Sequence, residues 1–301
     1  MNISVVIPYY NNSNEFSKCI DSIVNQSIKP YEIIIVDDNS IDSQQLFNIL
    51  KKYENKNKIR YFRNDENRNA SYSRNFGIKN AVGEFIALID ADDYWEQDHI
   101  ESGISKLIEC NASFTYSNIT YLKNGVLKKS RVDDINNLSN PADLVLLSPP
   151  QTSSFIFKKD LYMSVQFDES LRRHQDYQFL VDVILSDEKV IYNNKYTSVY
   201  VVPGVNLARK LDFDSIFSFW QRYGHLFTSN LLKRYLIRML CLNMRTKNEH
   251  NIEYYMRKYS ILNCVSNSSF YTLYQCIGDS NFLSKRILFL YFKLKYDFLA
   301  R

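Results

Sequence analysis

Three carboxylates follow an apolar run near residue 90. Residues 85–89 (FIALI) have the composition of a buried strand, and Asp90, Asp92 and Asp93 come directly after it. Open α/β sheets bind ligands beyond the carboxyl ends of their strands, where crowded carboxylates repel one another unless a cation lies among them. Hard oxygen ligands favour Mg²⁺ or Mn²⁺. The pattern predicts a divalent-cation site for phosphate chemistry, with a solvated acidic turn as the alternative for so short a motif.

A second acidic strand end lies earlier in the chain. Residues 33–36 (IIIV) are continuously apolar, as in a strand buried on both faces, and Asp37 and Asp38 follow them. Because the carboxyl ends of parallel strands meet at one edge of a sheet, we expect both acidic ends to face a single crevice.

The elements that must position these carboxylates alternate between strands and helices. The first predicted strand stops at Pro8, and Asn14 is the predicted cap of the helix that follows. Apolar spacing predicts two more helices, the second of which ends at Gly83. This order predicts a parallel sheet. The predicted strands are residues 3–7, 32–36, 59–62 and 85–89, and the predicted helices lie near residues 16–24, 46–53 and 71–81.

Length and composition fit an enzyme with a sizeable core. The chain has 301 residues, of which 45% are hydrophobic and 23% charged. No apolar run approaches the roughly 18 residues that span a bilayer, and no signal-peptide pattern opens the sequence, so we expect a cytoplasmic location. Five cysteines without C-x-x-C spacing argue against a disulfide framework and a zinc site. Glycine-rich dinucleotide and P-loop motifs are missing as well.

Charge is distributed unevenly along the chain. Residues 1–204 hold 22 Lys+Arg and 27 Asp+Glu, whereas residues 205–301 hold 15 and 6, so the net charges are −5 and +9. In the basic part, Leu232, Leu236 and Leu240 recur at helical spacing, and residues 285–301 alternate similarly. We expect a helical extension whose basic side is either solvated or bound to an anionic membrane surface. Nucleic-acid binding is disfavoured because the charge follows no nucleic-acid motif.

Five motifs stand in order along residues 1–205. They are residues 5–11 (VVIPYYN), 35–40 (IVDDNS), 71–78 (SYSRNFGI), 90–95 (DADDYW) and 174–177 (HQDY). Together they resemble the motifs of family-two glycosyltransferases. The resemblance implies a GT-A fold, which is an α/β, Rossmann-like, mixed but mainly parallel sheet flanked by helices. It also implies an inverting enzyme with a nucleotide-sugar donor, usually UDP-linked, and Mn²⁺ or Mg²⁺ as cofactor.

The resemblance implies roles for individual residues. Asp92 or Asp93 holds the metal, and Asp176 is the catalytic base that removes a proton from the acceptor hydroxyl. The residues implied in nucleotide-sugar binding are Pro8, Tyr10, Asp38, Arg74, Asp90 and Ala91.

Physical chemistry gives each role a reason. Tyr10 offers a flat π-face to a nucleotide base, and an ionised Asp38 accepts a hydrogen bond from a ring N–H. A cation at the acidic turn stabilises charge on a diphosphate leaving group. A helix predicted to begin near Asp176 helps to keep this base ionised. The structural alternatives are loop packing for Tyr10, a surface ion pair for Arg74 and a helix cap for Asp176.

The chain departs from the family pattern at three places. Gln175 stands where an acidic residue is common, Asn69 stands where a glycine is frequent, and residues 202–205 lack a frequent histidine. In place of that histidine, the candidates for a diphosphate contact are Asn206, Arg209 and Lys210, whose alternative is a polar linker.

Three further expectations concern the surroundings of the site. His174 is expected to be a structural hydrogen-bonder rather than a second base. Trp95 is expected in the core more than on a sugar ring. The polar segment 123–150, between predicted strands at 112–116 and 154–157, is expected to border the acceptor.

The sequence therefore predicts a catalytic domain over residues 1–205 and a basic helical region over residues 206–301. Residues 1–95 form its nucleotide-sugar half and residues 96–205 its acceptor half. The predicted activity is transfer of a hexosyl or N-acetylhexosaminyl group from a UDP-sugar to a lipid-linked oligosaccharide, in O-antigen or capsule synthesis at the inner face of the plasma membrane. The alternatives are a sugar nucleotidyltransferase, a receiver-like module and a catalytically silent nucleotide-sugar-binding protein.

Overall fold

The computed structural model describes residues 1–53, 58–202, 211–243 and 252–277. The chain divides into two compact units, Met1–Leu207 and Ala208–Arg301. In these described ranges, no helix has the length and apolar character needed to cross a bilayer.

The first unit is built on a mixed sheet of nine described strands. Its order is β3-β2-β1-β4-β8-β6-β9-β5, and β7 pairs with β6. The strands are β1 (Ile3–Tyr9), β2 (Glu32–Asp37), β3 (Ile59–Arg63), β4 (Phe85–Leu88), β5 (Tyr94–Trp95), β6 (Phe114–Lys123), β7 (Val126–Ser130), β8 (Ile156–Lys158) and β9 (Val190–Val201).

Helices flank this sheet and connect its strands, which confirms the predicted α/β class. The first four strands are parallel, as predicted, and the chain order reverses between β1 and β4. A reversal of this kind opens a crevice beyond the carboxyl ends of the two strands. The helices of this unit are α1 (Ser13–Val24), α2 (Ser43–Leu50), α3 (Asn69–Asn80), α4 (His99–Glu109), α5 (Leu144–Leu147) and α6 (Gln175–Leu185).

Strand β1 runs through Pro8 instead of stopping before it. The β1–β4 register ends at the pair Val6 and Leu88, while β1 still pairs with β2 at Tyr9. Val6 faces β4, since its carbonyl accepts from the Ile89 N–H at 3.3 Å. Pro8, two residues later, faces the same side beyond the end of β4, so its missing N–H breaks no ladder bond. Helix α1 also differs, because it begins before the predicted Asn14 cap.

Helix α3, which carries Arg74, lies unusually close to the sheet. A Cβ atom added at Gly77 would lie 2.5 Å from Val6 Cγ1. The glycine therefore allows the close approach that fixes α3 on β1. Several polar side chains of α3 are buried as a consequence, among them Ser71, Ser73 and Arg74.

The antiparallel half of the sheet differs from prediction. Strand β6 extends to Lys123 and turns back into β7, so segment 123–150 begins as a hairpin. Strand β9 was not predicted. It pairs in parallel with β6 and antiparallel with β5.

The second unit is helical where it is described, which agrees with the predicted helical extension. Leu232, Leu236 and Leu240 are buried on one face of α8, as their spacing predicts. Residues 285–301 lie outside the described ranges. The helices of this unit are α7 (Phe213–Tyr223), α8 (Ser229–Asn243), α9 (Ile252–Lys258), α10 (Leu262–Val265) and α11 (Ser269–Ile277).

Candidate active site

The acidic turn after β4 is closed by one serine. The Asp90 N–H donates to Ser153 Oγ at 3.1 Å, and Ser153 Oγ donates to Asp93 Oδ2 at 2.5 Å. The Asp93 N–H donates to the Asp90 carbonyl at 3.0 Å. Ser153 lies in the 3₁₀ helix Thr152–Ser154 and was not predicted to matter. It is 60 residues from Asp93 in sequence, and no local pattern marks it.

Asp93 is directed into the protein. It is 1% exposed, and its Oδ1 accepts from the Val201 N–H at 3.0 Å while its Oδ2 accepts from Ser153. Burial, followed by repulsion from Asp90 and Asp92, raises the pKa of Asp93 well above its usual value. The residue ties the acidic turn to the end of β9, and this structural role competes with its predicted role as metal ligand.

Asp90 and Asp92 are half-buried and therefore accessible at the crevice. Their carboxylates are hard oxygen donors, and their repulsion of the Asp93 charge is of the kind that a cation offsets. No cluster of three or more His, Cys, Asp or Glu suited to a metal occurs among the described residues. The residues present fit a Mg²⁺ or Mn²⁺ ion that takes its remaining oxygens from water and from a phosphate-bearing ligand.

Arg74 pairs with Asp90 across the crevice. Arg74 Nη2 lies 2.6 Å from Asp90 Oδ1, and the guanidinium side chain is 4% exposed. With the Gln175 amide oriented to satisfy its neighbours, Gln175 Oε1 accepts from Arg74 Nη1 at 3.1 Å. The pair therefore joins a buried guanidinium to a half-buried carboxylate, and it is not the surface pair considered as an alternative.

Asp176 lies in the first turn of α6 and is half-buried. Burial raises its pKa, and the Asp90 charge acts in the same direction. The backbone N–H groups at Asp176 and Tyr177 and the Arg74 charge oppose this rise without cancelling it. The expected help from the helix N-terminus is thus present, but desolvation outweighs it. Gln175, which directly precedes Asp176, contacts Arg74, so Asp176 lies close to the pair of Arg74 and Asp90.

Asp38 holds the loop that leads into α3. Its Oδ1 accepts from Asn64 Nδ2 and from the Arg68 N–H, both at 2.8 Å, and its Oδ2 accepts from the Asn69 N–H at 2.8 Å. A carboxylate has about four acceptor positions, so these bonds leave about one for a ligand. The predicted contact with a base N–H is compatible with this geometry, but shaping the loop is the role that the contacts describe.

Asp37 does not face the crevice, contrary to the expectation for both acidic strand ends. It is fully buried, and it accepts hydrogen bonds from the Ser40 N–H at 2.8 Å, Ser43 Oγ at 2.7 Å and the Tyr61 hydroxyl at 2.6 Å. Burial alone would raise its pKa, but these bonds outweigh burial and lower it. Arg63 adds a salt bridge. A receiver-like module, which needs Asp37 at a Mg²⁺ site, is therefore disfavoured.

The end of β1 presents one tyrosine and buries the other. Tyr10 is 50% exposed, whereas Tyr9 is buried and donates its hydroxyl to Asp42 Oδ2 at 2.9 Å. The Asn11 N–H donates to Ser40 Oγ at 3.1 Å, which ties the loop after β1 to the loop after β2. Tyr10 and the neighbouring Pro8 are thus held at the mouth of the crevice, with the Tyr10 ring available to a ligand.

The backbone at Asn69 has the conformation that favours the glycine expected at this position. Its φ is +73°, in the left-handed region that favours glycine and tolerates asparagine. Its Oδ1 accepts from the Ser71 and Tyr72 N–H groups at 2.8 and 3.2 Å, and its Nδ2 donates to the Glu169 carbonyl at 2.8 Å. Asn69 therefore keeps the backbone shape and adds a cap to α3.

The aromatic predictions have separate outcomes. Trp95 is 3% exposed, stacks on His99 with ring centroids 4.3 Å apart and donates to the Ser153 carbonyl at 2.6 Å, so it is a core residue. His174 stacks on Tyr177 with centroids 4.5 Å apart, and burial, with help from Arg173, lowers its pKa to about 3. It is thus a weak base.

The residues predicted to contact the diphosphate, Asn206, Arg209 and Lys210, lie outside the described residues.

Comparison with known proteins agrees with this geometry. The family model for Glycosyl transferase family 2 matches residues 4–173, which is more than half of the chain. The chain is 28% identical to Glycosyltransferase GlyA of Streptococcus pneumoniae over 221 residues, which cover 69% of this chain and 31% of GlyA. Its sequence therefore spans only about a third of the length of that relative.

Two further likenesses are informative. The chain is 29% identical over 174 residues to the UDP-Glc:alpha-D-GlcNAc-diphosphoundecaprenol beta-1,3-glucosyltransferase WfgD of Escherichia coli, covering 54% of this chain and 67% of WfgD. The crystal structure of S. aureus TarS 1-349 in complex with UDP-GlcNAc superposes with a TM-score of 0.62 at 17% identity, covering 98% of this chain and 80% of that one. The likeness to TarS confirms the fold.

Proposed function

The chain belongs to glycosyl transferase family 2 and has the GT-A fold, and from this premise we propose that it transfers one sugar from a UDP-sugar to a hydroxyl group with inversion at the anomeric carbon. The sugar is a hexosyl or N-acetylhexosaminyl group. The acceptor is a lipid-linked saccharide in surface-polysaccharide synthesis. The observation that carries this proposal is the ion pair of Arg74 and Asp90 beyond the end of β4, with Asp176 placed beside it by the contact of Gln175 with Arg74.

Asp176 is the catalytic base in this proposal. Its carboxylate accepts the proton of the acceptor hydroxyl while the hydroxyl oxygen forms a bond to the anomeric carbon. The bond from that carbon to the diphosphate breaks, and its electron pair leaves with the nucleotide. A carboxyl group whose pKa is raised by burial is a stronger base than an ordinary aspartate once it is ionised, which suits this step.

The opposite side of the pocket receives the donor. Tyr10 stacks on the nucleotide base, Asp38 accepts from the base N–H, and Asp90 lies near the ribose. We assign the metal to Asp92, because Asp92 is half-buried whereas Asp93 is 1% exposed and directed to Ser153 and Val201. A bound Mn²⁺ or Mg²⁺ would supply Lewis-acid stabilisation of the departing diphosphate.

The choice of donor and acceptor draws support from the relatives. TarS has been crystallised in complex with UDP-GlcNAc, and the name of WfgD includes a UDP-glucose donor and a diphosphoundecaprenol-linked acceptor. A lipid-linked acceptor places the reaction at a membrane surface, and the +9 charge of residues 205–301 would favour an anionic one.

Donor turnover tests the proposal directly. Purified protein is incubated with a panel of UDP-sugars and Mn²⁺, first alone and then with lipid-linked saccharides, and released UDP and the glycosylated product are measured. Asp176→Asn should lose transfer, whereas Asp182→Asn, a control on the same helix α6, should retain it. Asp182 accepts from Gln178 Nε2 at 2.6 Å. Full transfer by the Asp176→Asn variant would refute the assigned base.

A further inference from the structure

The hairpin of β6 and β7 ends in a rigid turn. Asn124 and Gly125 join the strands with φ values of +50° and +78°, the left-handed pattern of a two-residue type I′ turn. Five consecutive residue pairs connect the strands, from Ile119 with Ser130 to Lys123 with Val126. The turn is thus held in a fixed position by regular pairing.

The surface of this hairpin combines two apolar side chains with a cluster of cations. Val126 is 68% exposed and Leu127 is 56% exposed, at the tip where the chain turns back. Lys123, Lys128 and Lys129 flank them and are exposed. No acidic residue occurs from Ile119 to Arg131.

The hairpin tip projects beyond the carboxyl ends of the parallel strands, where the candidate active site lies. The Val202 N–H donates to the Leu122 carbonyl at 2.8 Å, and the Val201 N–H donates to Asp93 Oδ1 at 3.0 Å. The last pairs of β6 are therefore adjacent to the acidic turn. Through β8, Thr115 of β6 aligns with Ala87 of β4, so the turn reaches on the order of 15 Å beyond the level of Asp90 at the rise of a strand.

From these features we propose that the β6–β7 hairpin docks on an anionic lipid bilayer. Val126 and Leu127 enter the boundary between head groups and acyl chains, and Lys123, Lys128 and Lys129 contact anionic head groups. This inference rests on the proposed function, because a lipid-linked acceptor would reach the crevice from the same bilayer. It names the membrane-binding element within the first unit, apart from the basic residues 205–301.

The exposed side chains of Val126 and Leu127 favour a lipid bilayer over other anionic partners that lysines attract. A soluble polyanion would bind the lysines but would gain nothing from two exposed apolar side chains. Lysines on an edge strand also protect it against pairing with another chain, yet this protection does not require Val126 and Leu127. Apolar burial together with charge attraction is the combination by which proteins bind membrane interfaces.

The test is sedimentation of the full chain with vesicles of phosphatidylglycerol and phosphatidylcholine, compared with phosphatidylcholine alone. The partition coefficient of the V126S/L127S variant should be about tenfold lower than that of the wild type, because the apolar side chains that enter the bilayer are lost. The K128Q/K129Q variant should lower the partition coefficient about thirtyfold and reduce its salt dependence, to which Lys123 and the basic residues 205–301 still contribute. The matched controls are Met163→Ser, at a side chain 86% exposed, and K51Q/K52Q, two adjacent exposed lysines; both should bind within about twofold of the wild type.

Hydrolysis of a UDP-sugar without lipid is measured on the same samples, and thermal unfolding checks that each variant is folded. Hairpin variants should hydrolyse donor at the wild-type rate while vesicle binding falls. The docking proposal would be overturned if both hairpin variants bound vesicles as the wild type does. It would also be overturned if only the lysine variant lost vesicle binding, because that result indicates a site for polyanions. A wild-type protein that binds vesicles without turning over any donor would instead contradict the proposed function and leave the docking intact.

Discussion

Replacing Asp92 and Asp93 one at a time by asparagine would identify the metal ligand. Both residues follow β4 in the motif DADD, and the sequence alone does not distinguish them. In the structure, Asp92 is half-buried, whereas Asp93 is 1% exposed and bonded to Ser153 and Val201. We expect Asp92→Asn to lose Mn²⁺ binding and Asp93→Asn to keep it.

The expected magnitudes follow from these contacts. Mutation of a residue that only orients a metal ligand typically lowers metal affinity by about 10- to 100-fold. Loss of a ligand itself, as in Asp92→Asn, should therefore weaken Mn²⁺ binding by about tenfold or more. An asparagine at position 93 still accepts from the Val201 N–H and disturbs only the bond with Ser153, which costs about 1 kcal/mol. Loss of the repulsion from Asp90 and Asp92 offsets part of this cost. The free energy of unfolding should therefore change by less than about 1 kcal/mol.

Titration calorimetry with Mn²⁺, in the presence of UDP, measures the affinity, and urea denaturation measures the stability. Asp182→Asn serves as a control for the removal of a carboxylate elsewhere in the first unit. If Asp93→Asn abolished Mn²⁺ binding and Asp92→Asn titrated like the wild type, the argument from the hydrogen bonds of Asp93 would be wrong.

Three further predictions concern other parts of the crevice. Asp176→Asn should slow transfer by about 10²- to 10⁴-fold. Because burial raises the pKa of Asp176 in the folded state, ionisation of this carboxyl group lowers the stability of the wild type as pH rises through that pKa. The variant should therefore melt at a higher temperature than the wild type at pH 7, as measured by differential scanning calorimetry. For the same reason, the acid limb of the wild-type pH–rate profile should lie above the ordinary carboxyl value of about 4, and a limb at or below that value would contradict the raised pKa. Asp38→Asn should destabilise the protein by about 1–3 kcal/mol in urea denaturation, since in either orientation its amide NH₂ opposes a backbone N–H of the loop before α3. Gly77→Ala should cost about 1–3 kcal/mol through overpacking against Val6, and the loss in the double variant with Val6→Ala should be smaller than the sum of the two single losses; additive losses would show that the contact is not the cause.

The parallel half of the fold could be predicted because its signals are local. Strand β2 is buried at every position and reads as a continuous apolar run, and α1 buries Phe16, Ile20 and Ile23 at helical spacing. Strand β9 contains the polar stretch Asn193, Asn194 and Lys195, and its partner β6 is far away in the sequence. Its pairing depends on tertiary structure, which no short window of sequence contains.

The hairpin shows a signal that was present but was not used. Asn124-Gly125 between two short runs with apolar residues is typical of a type I′ hairpin, and segment 123–150 was nonetheless interpreted as one polar stretch. The roles of Asp37 and Asp38 could not be separated in the same way. The donors that occupy Asp37 include Tyr61 and Arg63, which reach it only after β3 has paired with β2.

The ring of hydrogen bonds that Ser153 completes has a consequence for ion binding. Ser153 Oγ accepts from the Asp90 N–H and donates to the Asp93 carboxylate, and the Asp93 N–H donates to the Asp90 carbonyl, so the backbone between Asp90 and Asp93 has little freedom to open. Arg74 offsets the charge of Asp90 by a contact of 2.6 Å. If a cation binds at Asp92 as we propose, it meets a backbone turn that is already formed before the ion arrives.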